Sequence, residues 1–240
     1  MLPLFSNLLL QSLSEKDRLL LVAKSHAVPL LDGTNLYTPE VTPRYAYFLT
    51  SGLASIVTSM PDGTSADVSF VGHEGVVGGL HILGPGLVST NCFMQIEGSA
   101  LRIRLDDLRA AFRASETIRD SILEFVQSQE ISLGQLAGCH RLHAAEPRLA
   151  RWLLMAQDRI GGNVLDLTQE SLAGMIGSRR TTVTVAAGIM QRRGLIEYHR
   201  GSVRILDRKM LEATACACYP VTHQLLVNLY SRIVVPEAAA

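Results

Sequence analysis

Arg179, Arg180, Thr181, Thr184 and Gln191 are the side chains with the clearest chemical capacity in this sequence. A guanidinium is a planar fork that can donate two hydrogen bonds to guanine O6 and N7, and a threonine methyl can touch the methyl of thymine. What lies around them sets their orientation. Thr168 is a candidate N-cap with Glu170 in the first turn, and Leu172, Met175 and Ile176 form the apolar stripe of a short helix. Gly177 ends that helix, and Ser178 is expected to cap a second one. Val183, Ala187 and Met190, at steps of four and three, give the second helix its inward face, so Arg179, Arg180, Thr181, Thr184 and Gln191 project outward. After Gly194, the runs Leu195 to His199 and Ser202 to Leu206 flank Arg200-Gly201, a hairpin with a cationic tip. The order of capped helix, glycine turn, cation-led helix and basic hairpin predicts a winged helix-turn-helix centred on Thr168 to Gln191, with double-stranded DNA as partner. Thr168, Gln169, Ser178, Thr182, Gln191, Arg200 and Arg204 are the expected phosphate contacts, which add affinity without reading sequence.

Net charge is zero, which alone argues against a nucleic-acid binder, but the charges are divided. Ala145 to Lys209 holds eleven cations against six anions, a net of +5, and the remainder carries −5. A basic module is joined to an acidic one. The acidic part opens with helical leucine spacing over about Leu8 to Lys24, with Ser14 a plausible start. From Val28 to Leu105 it turns to short alternating runs divided by glycine: Ala66, Val68 and Phe70, then Leu101, Ile103 and Leu105. Asp62-Gly63 reads as a hairpin turn, and further turns are expected at Gly33, Gly52, Gly72, Gly75, Gly84-Pro85-Gly86 and Gly98. This is the pattern of a small antiparallel sandwich or barrel. Ser115 then opens a long helix, for the 28 residues from Glu116 to His143 contain no proline and would extend about 42 Å. Ile118, Ile122, Phe125, Gln129, Ser132, Leu136 and Cys139 recur as a coiled-coil seam, which predicts pairing with a second copy. Pro147 suits the first turn of the next helix, and Gly161-Gly162-Asn163 closes it.

These segments together resemble the cyclic-AMP receptor protein/FNR (Crp/Fnr) family of bacterial regulators. The resemblance rests on Phe70-Val71-Gly72-His73-Glu74-Gly75, on Arg148-Leu149-Ala150-Arg151-Trp152-Leu153-Leu154, and on Leu167-Thr168-Gln169-Glu170-Ser171-Leu172-Ala173 leading to Gly177-Ser178-Arg179-Arg180-Thr181-Thr182-Val183. It implies an α+β chain of four parts: a β-roll sensor of cyclic-nucleotide-binding-like jelly-roll type (1–114), a dimerisation helix (115–143), a winged helix-turn-helix (144–209) and a C-terminal tail (210–240). It places Arg180 on the family's base-reading arginine, with Arg179, Thr181 and Thr184 at neighbouring groove-facing positions. Val185 stands where a second arginine is often found. The resemblance further implies a homodimer on a palindromic operator and RNA polymerase as a partner.

For the sensor half the family offers two chemistries that the residues do not support. The glutamate and arginine that hold a cyclic nucleotide are missing, since the corresponding stretches read Val77-Gly78-Gly79-Leu80 and Leu87-Val88-Ser89-Thr90, and a phosphate buried there would lack a partner charge. No cysteine precedes Cys92, so the family's N-terminal iron-sulfur ligands are lacking. Cys139 with His140 and His143 offers soft ligands on one helix end but no evident fourth ligand, and Cys216, Cys218 and His223 match no common zinc spacing. No metal and no cofactor is therefore expected. His73 and His81 form no close metal-binding pair of the kind a jelly-roll enzyme uses, which leaves an enzyme as the weaker reading. Met1 to Leu13 lacks a basic start and a cleavage pattern, and no run of about 18 apolar residues occurs. A cytoplasmic protein with no membrane partner is expected, with Cys92, Cys139, Cys216 and Cys218 as reduced thiols.

Overall fold

A computed structural model describes residues 6–84 and 88–231. The start at Met1 to Phe5, the Pro85 to Leu87 part of the expected glycine-proline turn, and the tail beyond Ser231 lie outside the described residues.

The leading leucine-rich stretch forms two short helices rather than one: α1 (Leu8–Ser12), capped by Asn7, and α2 (Glu15–Ala23), capped by Ser14. The break falls where Leu13 turns to extended backbone and Ser14 takes up the Asp17 N–H. Asn7 is fully buried, and its Nδ2 donates to the carbonyls of Leu49 and Gly75, which ties α1 to the sheet.

The N-terminal half is built on one antiparallel sheet of β1 (Ser25–Leu30), β2 (Asn35–Tyr37), β3 (Tyr45–Ser59), β4 (Ser65–Val71), β5 (Val76–Val77) and β6 (Thr90–Arg104). Its main path runs β1-β6-β3-β4, with β2 on β6 and β5 on β3. The two 15-residue strands β3 and β6 bend together where their register shifts between Leu49 and Ala54. The crossing is so close that a Cβ on Gly98 would lie 2.2 Å from the Ser51 carbonyl oxygen, so only glycine fits. Asp62-Gly63 makes the expected β3–β4 turn, with Gly63 at φ 84° and the Asp62 carboxylate accepting from the Thr64 N–H.

Then come α3 (Leu105–Ala114) and the long α4 (Glu116–Leu142), whose 27 residues extend about 40 Å and begin at Ser115, the expected cap. Most of the seam read from its periodicity is covered by the chain itself. Ile118, Ile122 and Phe125 are buried in the chain's own β-roll core, Gln129 accepts a hydrogen bond from Ser69 of β4, and Cys139 is buried against Cys216. The opposite stripe of α4 is the open one: Leu123, Gln127, Ile131, Gly134, Gly138 and Leu142, at steps of four and three, are all exposed.

Next follow α5 (Ala145–Ile160), β7 (Val164–Asp166), α6 (Gln169–Met175), α7 (Arg180–Arg192), β8 (Ile196–His199), β9 (Ser202–Ile205), α8 (Arg208–Thr214) and α9 (Cys218–Leu229). Pro147 sits in the first turn of α5, where it lacks no needed N–H, and Gly161 ends the helix in the left-handed region. The second sheet is β7-β9-β8. A second core around Leu149, Leu153, Leu172, Val183, Met190 and Val203 holds this half together, and it takes in Leu53 and Ile96 from the first sheet. The halves are thus packed against each other. Phe70 of β4 lies 5.6 Å from the Trp152 ring, and buried Glu74 accepts from Arg159 Nε at 2.8 Å. Among the described residues no helix is long and apolar enough to cross a membrane.

Candidate nucleic-acid interface

The helix-turn-helix is built by local chemistry. The Thr168 hydroxyl accepts from the Ser171 N–H and caps α6, as expected. Gly177, at φ 57°, turns the chain, and the Ser178 N–H bonds the Ala173 carbonyl. Ser178 is not the cap of the second helix. Arg179 holds that position without a side-chain cap bond, because the half-buried Ser178 hydroxyl is already taken by Arg148 Nη2 at 3.1 Å. Arg148 Nη1 also bonds the His140 carbonyl, so the entry to α7 is pinned to the end of α4 and to α5. The His140 ring packs against Gly177, where a Cβ would lie 3.1 Å from its Nδ1. Burial, reinforced by the charges of Arg148 and Arg151, pushes the His140 pKa down to about 4, so the imidazole is neutral there.

Val183, Ala186, Ala187 and Met190 face the core, and everything the sequence assigned to base reading is exposed. Arg180, Thr184 and Gln191 lie along one line of α7, with Thr181 and Val185 beside them, and Arg179 precedes them. Thr184 Oγ1 donates to Gln169 Oε1 at 2.7 Å, which joins the second turn of α7 to the first residue of α6. Val185 is 63% exposed in the midst of this polar face. Thr182 lies along a groove that it shares with Thr181 and Val185 and that Ala145, Glu146 and Ile189 also line. Gln191 is about 16 Å along the helix from Arg180, so it belongs to the far end of the surface.

The hairpin β8–β9 turns on Arg200 at φ 45° and Gly201 at φ 86°. Successive positive φ values make the type I′ turn that matches strand twist, and the Arg200 side chain is left in solvent. Gly201 abuts the Thr168 methyl, so the hairpin tip and the start of α6 form one surface. Arg204, also exposed, lies 4.0 Å from Glu197, a surface pair worth little. Arg193 is drawn away from the reading face to Glu146 at 3.1 Å.

A second place in the molecule has chemical capacity. Between β4, β5, the 3₁₀ turn Gly79–Ile82 and α4 lies a cavity of about 190 Å³, with Ile56, Val71, Val76, Val88, Phe125 and Leu133 in its wall. Its polar lining includes Ser69, Thr90, Gln129, Glu130 and His81. No arginine or lysine lines it among the described residues. His81 is 5% exposed, its Nε2 has no partner among the described residues, and burial lowers its pKa.

Two groups that are separate in sequence form one cluster. Cys139 and His143 at the end of α4 meet Cys216 and Cys218 at the corner between α8 and α9. The missing fourth ligand was 73 residues or more away in sequence. His223, grouped with Cys216 and Cys218 by proximity, instead meets Asp158 at 3.2 Å. The facing thiols of Cys139 and Cys216 share a hydrogen bond, which lowers the pKa of Cys216 and raises that of Cys139.

Residues 28–115 match the cyclic nucleotide-binding domain family and residues 147–214 match the Crp-like helix-turn-helix domain family. A "CRP-like cAMP-activated global transcriptional regulator" of Mycobacterium tuberculosis is 27% identical over 176 residues, which is 70% of this chain and 79% of that one. In fold, the chain is similar to FixK2 from Bradyrhizobium japonicum, with a TM-score of 0.68 at 15% identity over 80% of this chain and 98% of that one. It is likewise similar to TTHB099, a CRP-family transcriptional regulator from Thermus thermophilus, with a TM-score of 0.64 at 20% identity over 78% of this chain and 96% of that one. With a β-roll, a long linking helix and a Crp-like helix-turn-helix in this order, the chain belongs to the Crp/Fnr family of transcription regulators.

Proposed function

We propose that the protein is a dimeric, sequence-specific DNA-binding regulator that reads bases with Arg180 and its neighbours, and whose β-roll does not take a cyclic nucleotide. The observation that carries the reading is the open, cation-led start of α7 beside an exposed arginine-tipped hairpin. Arg180, Thr181 and Thr184 enter the major groove, Arg179 lies at its edge, and the exposed Val185 meets a thymine methyl where a second arginine would seek guanine. Thr168, Gln169, Thr182, Gln191, Arg200 and Arg204 supply phosphate contacts. Ser178, held by Arg148, contributes its position rather than a free hydroxyl. Two copies pair through the outward stripe of α4, where Gly134 and Gly138 leave room for close approach, so the operator is roughly palindromic with half-site centres about 34 Å apart. RNA polymerase is the further partner that the family resemblance implies, in the cytoplasm where the chromosome is met.

The Mycobacterium relative is by name cAMP-activated. Among the described residues the cavity offers no cation for a cyclic phosphate, and burying that charge unpaired would cost several kcal/mol. A cavity lined mainly by apolar side chains, with His81, Gln129 and the Glu130 carboxylate among its polar points, suits a ligand without negative charge.

The test is selection of bound fragments from random DNA, followed by Arg180→Ala on the selected site. Loss of about 1–3 kcal/mol of discrimination at one base pair is expected, whereas Arg200→Asn should weaken all sequences alike and lower the salt slope by about 1. An unchanged preference in Arg180→Ala at fixed salt would remove Arg180 from base reading.

A further inference from the structure

Four ligating atoms from two distant parts of the chain converge behind the recognition helix. Cys139 Sγ, His143 Nδ1 or Nε2, Cys216 Sγ and Cys218 Sγ all lie within 4.8 Å of one another. Two of the separations are 3.5 Å, Cys139 Sγ to Cys216 Sγ and Cys218 Sγ to His143 Nδ1. Around a zinc ion with Zn–S near 2.3 Å and Zn–N near 2.0–2.1 Å, a regular tetrahedron has S–S edges of about 3.8 Å and S–N edges of about 3.5 Å. The set is therefore sized for a single ion in its centre. A multi-iron cluster needs its cysteines farther apart.

Each ligand is placed by backbone structure. Cys139 and His143 are one helical turn apart at the end of α4, and His143, the C-cap residue, has already turned to extended backbone. The Cys216 N–H bonds the Pro147 carbonyl, and Cys218 opens α9. Gln135 Nε2 donates to Cys218 Sγ at 3.1 Å, the kind of outer hydrogen bond that orients and tempers a metal-bound thiolate.

An independent observation points to a negative occupant. Arg151 is 1% exposed, and its Nε and Nη2 have no hydrogen-bond partner among the described residues, while its Nη1 reaches only Met155 Sδ. A buried guanidinium without an anion is strongly disfavoured. Its charge acts on both Cys139 and Cys216. Zinc bound by three thiolates and a neutral imidazole carries a net charge of −1, the counter-ion that Arg151 lacks.

We propose that Cys139, His143, Cys216 and Cys218 form a structural zinc site that staples the end of α4 to the C-terminal helices. Binding is a closed ligand exchange without redox change: Zn²⁺ replaces the protons of the three thiols, which pass to solvent, and the imidazole donates its lone pair. No position is left open for water, so the site is structural rather than hydrolytic. Its location gives it a consequence. His140, one residue from Cys139, packs on Gly177, and Arg148, just after Pro147, holds Ser178. The ion thereby fixes the base on which the recognition helix is mounted, and its loss frees that helix even where the β-roll stays folded.

The experiment uses the full chain purified under reducing conditions without a histidine tag, with metal measured by elemental mass spectrometry. One zinc per chain is expected after exposure to zinc alone, and replacement by Co²⁺ should give intense visible bands of a tetrahedral site with thiolate charge transfer in the near ultraviolet. Gln135→Ala should weaken zinc binding by about 10–100-fold. Cys216→Ser should lose the stoichiometric ion, and His223→Ala should keep it. Should Cys216→Ser not fold, stepwise mercurial blocking of wild-type thiols keeps the question answerable, with one zinc released as Cys139, Cys216 and Cys218 react. Zinc well below one equivalent, an octahedral Co²⁺ spectrum, release unlinked to those thiols, or a Cys139–Cys216 disulfide in the purified protein would overturn the assignment. DNA binding by Arg180 is read separately, so failure of the metal site leaves that reading standing.

Discussion

Glu74→Ala removes one half of the buried contact that docks the two halves of the chain. Glu74 is 2% exposed, and both its oxygens are engaged: Oε1 accepts from Arg159 Nε at 2.8 Å and Oε2 from the Gly72 N–H at 2.9 Å. Arg159 is otherwise held by the Met155 carbonyl at 3.0 Å and lies over the Phe70 ring at 4.7 Å. Truncation leaves a guanidinium with an aromatic face but no anion, and an orphaned N–H at Gly72. Breaking a buried pair in this way costs about 3–5 kcal/mol, mainly the uncompensated charge. At about 2–4 °C per kcal/mol for a chain of this size, the melting temperature should fall by about 6–20 °C. Glu74→Gln keeps the shape and an acceptor but loses the charge, and should cost less than the alanine. The assay has an internal probe, because the chain's single tryptophan, Trp152, packs on Phe70 at this junction. Its emission should shift as the halves separate, ahead of the loss of sheet signal. A double cycle with Arg159→Met should return a coupling above about 1.5 kcal/mol. A cost below about 1 kcal/mol with unchanged tryptophan emission would refute the claim that this pair holds the docking.

Two further perturbations test other joints. Asp67 on β4 touches α6, where a Cβ on Gly174 would come within 2.7 Å of its Oδ2, and burial pushes its carboxyl up to about 6 from the usual 3.8. A raised acid favours the folded state when protonated, so wild-type stability should fall as pH rises from about 4 to above 6, by up to about 3 kcal/mol. Asp67→Asn should flatten that part of the melting profile and be the more stable at pH 7.5; parallel profiles would count against it. On α4, Ile131→Glu should shift sedimentation toward the monomer, while Gln129→Glu, on the face turned to Ser69, should leave the dimer intact. The reverse result would return the pairing to the face that periodicity first suggested.

What the sequence made legible was local chemistry. The caps Ser115 and Thr168, the Asp62-Gly63 and Arg200-Gly201 turns, and the end of α5 at Gly161 each depend on a few adjacent residues, and each is found where it was read. The exposed face of α7 follows from its period alone, because Val183, Ala187 and Met190 leave it one way to turn. What failed depended on partners distant in sequence. Periodicity correctly marked one face of α4 as apolar, but could not say that β-roll residues cover it. Ser178 has the composition of a cap, yet Arg148, thirty residues earlier, takes its hydroxyl. The cysteines and histidines were visible as two separate groups, and only the packing of α9 on α4 brings Cys139 and His143 to Cys216 and Cys218.

Strand β4 connects the cavity to the reading head, and its residues divide between the two. Val68 and Ser69 line the cavity, with Ser69 bonded across it to Gln129 of α4. Asp67 meets Gly174 of α6, and Phe70 meets Trp152 of α5. An occupant that moved β4 would reach α6 and α5 through adjacent residues of one strand, over a path of direct contacts. Tight binding alone moves nothing, for a ligand shifts the docking only by the difference in its affinity for the docked and undocked states. A coupling of the usual 1–3 kcal/mol is comparable to the cost that the buried Asp67 carboxylate imposes at neutral pH. The charge at Asp67 and an occupant of the cavity would accordingly bear on the same strand contacts. Asp67→Asn should then change the response of DNA affinity to any ligand of the β-roll while leaving untouched the base preference proposed for Arg180 and Thr184.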